Sequence, residues 1–226
     1  MMKLKILLTV AAVLVILVIW IAPWSGAPPL AKLDAHMEQL RTEDNVEALE
    51  SEIQSKDVKR ARRAVETLGY LGQSFSKKRD RAIKTIRVTM KNDSRQQIRQ
   101  TAVIAYAKAM ETASPKTHDP APLGEIVRTD KDKNLVICSI NALGDMGAYE
   151  ELETLLQAMN NDDITIRRRA AEAVVLVVRR RYTFHPNASP ETRLIEIDRI
   201  RQFWKFYQDN VTKFHKDKRK EQANKT

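Results

Sequence analysis

The chain has 226 residues, enough for one ordinary domain or one short repeat array, and 43% of them are hydrophobic. Six glycines and eight prolines leave too little turn material for an all-β fold, and the single cysteine, Cys138, excludes an intrachain disulfide and a cysteine-based metal cluster. The formal net charge of +10 favours attraction to nucleic acid, anionic lipid or acidic protein without choosing among them.

At the amino terminus, Lys3 and Lys5 precede an uncharged run over residues 6–22. As a helix it is about 25 Å long, close to the hydrocarbon thickness of a bilayer. The apolar core of a cleavable signal peptide is usually about 7–15 residues, shorter than this run. The one small-x-small site, Ser25-Gly26-Ala27, is followed by Pro28, whose ring fits a peptidase poorly. The run is therefore read as an uncleaved signal anchor, a single transmembrane helix. Lys3 and Lys5 put the amino terminus on the cytoplasmic side, so the rest of the chain is expected in the periplasm or otherwise outside the cytoplasm. Trp20 and Trp24 suit an interfacial aromatic belt. A short, stiff proline-rich connection over 23–29 follows. The expected organisation is anchor and linker over 1–29, a helical array over 30–188, and a closing helix with a basic tail over 189–226.

Leu30, Leu33, Met37 and Leu40 recur at helical spacing directly after the linker. A sixteen-residue pattern then appears four times: DVKRARRAVETLGYLG from Asp57, RQQIRQTAVIAYAKAM from Arg95, DKNLVICSINALGDMG from Asp132 and DITIRRRAAEAVVLVV from Asp163. The starts lie roughly 31–38 residues apart, a period of helical repeat arrays. With the columns numbered 1 to 16, column 8 is always small (Ala64, Ala102, Ser139, Ala170). Columns 11, 12 and 15 read Thr67, Leu68, Leu71; Ala105, Tyr106, Ala109; Ala142, Leu143, Met146; and Ala173, Val174, Val177. That is one buried helix face. A partner helix is predicted before each copy, on Val46, Leu49 and Ile53; Ile83, Ile86 and Met90; Leu123, Ile126 and Val127; and Tyr149, Leu152, Leu155, Leu156 and Met159. Polar stretches ending near Asp57, Asp93 and Asp163 supply caps, and Gly69, Gly72, Gly144 and Gly147 are expected to end two copies.

These features resemble HEAT-like repeats, especially the short bacterial kind related to the repeats of bilin lyases, over about residues 45–182. The resemblance lies in Asp163-Ile164-Thr165-Ile166-Arg167 running through Ala170 and Ala173, and in Ala142-Leu143-Gly144. It implies an all-α fold, a short α-α superhelix whose second helices line the concave side, and a job of protein binding. The family's column-5 arginine is matched by Arg99 and Arg167, with Ala61 and Val136 elsewhere, and column 4 of the first copy is Arg60. An interrupted Asp–Arg ladder and an irregular first copy acting as a cap are expected.

A last helix starts at Ser189-Pro190-Glu191, with Ser189 as cap and Pro190 in the first turn. Ile200, Phe203, Trp204, Tyr207, Val211 and Phe214 form an aromatic stripe on it, read as closing the array. The tail from Lys213 is lysine-rich.

Catalytic motifs are missing from the sequence. His36, His118, His185 and His215 are far apart, none is followed by Glu, and there is no glycine-rich phosphate loop or serine elbow. The chain is expected to be non-catalytic, with no cofactor and no metal. Binding is expected on columns 3, 6 and 10, which point away from the buried face. This predicts a groove with Ile104 and Ile137 in the middle, flanked by Arg62 and Arg168. Arg62 with Glu66, and Arg168 with Glu172, can pair at four-residue spacing. A basic patch is expected from Arg167 and Arg169 together with Arg179, Arg180 and Arg181. A protein is the first candidate partner, and nucleic acid or an anionic surface the second.

Overall fold

The computed structural model describes residues 29–73, 77–111 and 118–223. Among the described residues there are ten α-helices and no strand, so the all-α expectation is borne out. They are α1 (Pro29–Thr42), α2 (Val46–Ile53), α3 (Val58–Gln73), α4 (Arg79–Asn92), α5 (Gln96–Glu111), α6 (Ala121–Thr129), α7 (Lys133–Asp145), α8 (Leu152–Ala158), α9 (Ile164–Val178) and α10 (Pro190–Ala223). A 3-10 turn, Tyr149–Glu151, leads into α8. No helix among the described residues is long and apolar enough to cross a membrane. The expected anchor over 6–22, Trp20 and Trp24 lie outside the described residues.

Helices α2 to α9 form four consecutive pairs, and the second helices α3, α5, α7 and α9 pack on one another in chain order. Helix α1 lies on α2 and α3 at one end, and α10 packs on α8 at the other. The first copy is thus not the end of the stack, because α1 covers it with Met37 and Leu40. The repeated columns account for the core. All four column-8 residues are fully buried, and columns 11, 12 and 15 are buried apart from a half-exposed Met146. The predicted first-helix residues are buried or packed on that core, except Tyr149, which sits in the 3-10 turn and is 55% exposed.

Aspartates start the second helices as expected. Asp57 accepts the Lys59 amide at 2.9 Å, Asp132 the Asn134 amide at 2.9 Å, and Asp163 the Thr165 amide at 2.7 Å. The copy that begins with Arg95 uses Asp93 instead, which accepts the Arg95 amide at 2.8 Å. Links between successive copies come from column 2 as well as column 5. Gln96 donates to Asp132 at 2.9 Å and Lys133 reaches Asp163 at 2.7 Å. Arg60, where other copies bury an aliphatic side chain, is exposed and pairs with Glu52 of α2.

The glycines do something other than end helices. Gly69, Gly72 and Gly144 lie inside α3 and α7, where an added Cβ would come within 3.0 Å of Ala105, 2.6 Å of Ala109 and 2.9 Å of Ala173. They are the points where adjacent second helices touch. Gly147 alone is a turn residue, at φ +62°, where a side chain would be strained.

Candidate functional site

The row of second helices carries a continuous outward face. Column 3 contributes exposed Lys59, Gln97 and Asn134, and column 10 contributes exposed Ile104, Asn141 and Glu172. Column 14, one helical turn further on, was not among the predicted columns. It is nevertheless exposed in every copy, as Tyr70, Lys108, Asp145 and Leu176. The rotation from column 10 to column 14 is only about 40°, so the same arithmetic that selects column 10 selects it.

Of the expected groove residues, Arg62, Ile104 and Arg168 are exposed, whereas Ile137 is half-buried and packs on the core. The apolar centre is therefore Ile104 with Tyr70, each 50% exposed. They line a cleft of about 360 Å³ between α3 and α5 with Arg62, Arg63, Glu66 and Lys108. Lys108 Nζ lies 5.7 Å from the Tyr70 ring centroid, a cation–π contact that holds the rim. Glu66 pairs with both Arg62 at 3.0 Å and Arg63 at 2.7 Å. At the far end of the row Glu172 pairs with Arg169 at 2.8 Å rather than with Arg168. Arg168 makes no ion pair among the described residues. The proline-rich loop ahead of α6 is described from His118. There the Tyr106 hydroxyl donates to the Asp119 carbonyl at 2.6 Å, and Arg87 holds the Asp119 carboxylate on the first-helix side.

The expected basic patch separates into residues with different roles. Arg167 is 9% exposed and donates to the carbonyls of Pro186, Asn161 and Asp162 at 2.7–2.8 Å, so it is a structural tie and not a surface charge. The reason is register: column 5 faces inward, as buried Ala61 and Val136 show in other copies, whereas Arg168 and Arg169 in the next columns face out. Arg179 ends α9 in the left-handed conformation at φ 54°, and Arg180 covers the Phe203 ring at 4.2 Å. Arg179, Arg180 and Arg181 are all exposed.

Burial raises the Cys138 thiol above its ordinary pKa in its half-buried position beside the Gln100 carbonyl. His36 faces Glu52, which also pairs with Arg60, at 3.4 Å, and His185 faces Glu196 at 2.6 Å. Among the described residues, no group of three or more His, Cys, Asp or Glu is placed to hold a metal ion. No protein-family model matches the chain, and no curated protein matches it.

Proposed function

We propose that this chain is a membrane-anchored, non-catalytic scaffold whose helix pairs form a short HEAT-like superhelix that holds a protein partner outside the cytoplasm. The observation that carries this reading is the outward face of the second helices. Tyr70, Ile104 and Leu176 are about half exposed on it, from columns 10 and 14 of three of the four copies. Half-exposed aromatic and aliphatic side chains beside arginines are the composition of an interface centre. The anchor rests on the apolar run over 6–22 and the two lysines before it. Resemblance of the sixteen-residue copies to HEAT-like repeats supports the superhelix.

A photo-crosslinking amino acid at position 104 in intact cells tests the site. The expected result is a discrete adduct from position 104 that disappears with Tyr70→Asp, and no adduct from position 88, an exposed valine on α4. Adducts of equal yield from both positions, or none from 104, would refute the assignment. Protease accessibility of the array in intact cells tests the side of the membrane.

The nucleic-acid reading is less well supported, because Arg167 is buried, Arg169 is paired with Glu172 and Arg180 lies over Phe203. Its signature is a steep loss of affinity with salt, whereas an apolar groove loses little.

A further inference from the structure

The two ends of the stack are finished differently. At the first end, α1 turns Met37 and Leu40 inward and shows solvent Lys32, Asp34, Glu38, Gln39 and Arg41. No large apolar side chain is exposed among its described residues, which is the polar outer face a terminal element requires. At the other end α10 stands in the row of first helices, joined to α8 by Arg201 and Glu153 at 2.7 Å. No second helix follows it in the described residues. Ile195, Phe206 and Tyr207 are 56%, 67% and 49% exposed there.

At about 100° per residue, Ile195, Arg199, Gln202 and Phe206 share one stripe of α10. Phe203 borders that stripe, and Arg180 lies 4.2 Å from its ring centroid, which brings the exposed arginines 179–181 alongside. Two carboxylates, Glu191 and Asp209, share this stripe with the arginines, and the others nearby are engaged elsewhere. Asp198 and Glu153 pair with Arg201 on the opposite flank, Glu196 with His185, and Glu172 with Arg169. Further along the helix the sequence adds Lys213, Lys216, Lys218, Arg219 and Lys220.

We propose that the α10 face bearing Ile195, Arg199 and Phe206, with Arg179 and Arg181 beside it, docks on a bilayer surface rich in anionic lipid. Basic side chains take the headgroup charge while the aliphatic and aromatic residues enter the headgroup boundary, as on interfacial helices. A second copy of the chain is the poorer occupant, because it sets arginines against arginines. Nucleic acid would neutralise the arginines and leave Ile195 in water. The proposal does not depend on the groove or on the anchor.

The test uses the full chain with Cys138→Ser and Gln202→Cys, labelled at 202 with an environment-sensitive fluorophore. Vesicles of phosphatidylcholine alone, and of phosphatidylcholine with phosphatidylglycerol, are prepared with and without a lipid-borne quencher. Blue-shifted emission and quenching are expected in the anionic vesicles only, reversed by salt. The ratio of docked to undocked helix should fall about fivefold for each of Arg181→Ala and Arg199→Ala. Equal quenching in both vesicle types, or none in either, overturns the proposal. So does the same emission change on adding RNA without vesicles, or on raising protein density in neutral vesicles. Flotation with neutral vesicles reports residues 6–22 alone, so the anchor and the docking face fail separately.

Discussion

The two rows of helices in this molecule are held together by different chemistry. Second helices meet through small residues, Gly69 on Ala105, Gly72 on Ala109 and Gly144 on Ala173. First helices are joined through long charged side chains. Lys78, just ahead of α4, and Arg81 of α4 reach Glu47 and Glu50 of α2, Lys91 reaches Glu125 of α6, and Arg128 reaches Glu151 ahead of α8. Glycine against alanine brings backbones into contact, whereas the ion pairs span a gap, with clefts of about 610 and 400 Å³ between first helices against about 360 Å³ between α3 and α5. The second-helix row is the narrow one and the first-helix row the wide one. Geometry is therefore set by the second helices, and the first helices adapt to it.

The narrow row is the place to break the stack. Gly144→Val sets a branched side chain against the Cα of Ala173, which is backbone and cannot turn aside. The expected loss is about 3 kcal/mol, at the upper end for overpacking, since leaving glycine in a helix returns only a fraction of that. Urea unfolding followed by circular dichroism measures it. Val88→Ala on the wide row, at a half-exposed residue, is the control and should change stability by less than about 0.5 kcal/mol.

Next in size is the tie at the last pair. Arg167→Met keeps the aliphatic stem but abandons the carbonyls of Asn161, Asp162 and Pro186. Unsatisfied buried acceptors put the loss at about 2 kcal/mol. Hydrogen exchange should show it concentrated in residues 182–190 and the start of α9, with α3 and α5 unaffected. A loss spread evenly over the stack would mean that Arg167 acts as one more surface charge.

Most of the core was legible in the sequence because its columns repeat at a period that only one helix face can satisfy. The buried set at columns 8, 11, 12 and 15 is an example. Gly69 and Gly144 were legible as special residues but not as contact points. Glycine near the end of a helical pattern serves a turn or a close approach equally well, and only the neighbouring helix decides. Arg167 was hidden inside a run of three arginines, where charge looks uniform and only register distinguishes the inward one. Ile137 sits at an outward column yet is half-buried and packs on the core, a departure that belongs to its own copy and not to the column. Leu176 and Tyr70 were missed because column 14 was left out, although the periodicity already contained it. The exposed face of α10 was not legible, since an aromatic stripe reads the same whether it packs on the array or faces solvent.

The contact between Lys133 and Asp163 sharpens the comparison by pH. The Lys133 ammonium at 2.7 Å, aided by the amides of Ile166 and Thr165, lowers the Asp163 pKa from 3.8 to about 2. A depressed folded-state pKa contributes stability that is complete above the unfolded value of 3.8. That contribution is lost as the pH falls toward about 2. Asp163→Asn keeps an amide-capping oxygen and removes the titration. Acid unfolding of the variant should therefore be shallower than wild type across this window, with the two curves parallel at neutral pH. Curves that stay parallel down to acid would show that Lys133 does not engage the carboxylate in solution.

The smallest effect is expected where the ion pairs are most numerous. Arg81 serves Glu47 and Glu50 together, yet all three side chains are substantially exposed, and water screens what each pair gains. Arg81→Ala should leave the urea midpoint within error of wild type. The variant should also respond slightly less to added salt than wild type, because it lacks one of the interactions that salt screens. The pair spans the gap between α2 and α4 without setting its width, which follows from the contact of α3 with α5 on the other row. If Arg81→Ala instead weakened the fold as much as Arg167→Met, the charged row would be fixing the spacing, and the glycine row would merely follow it.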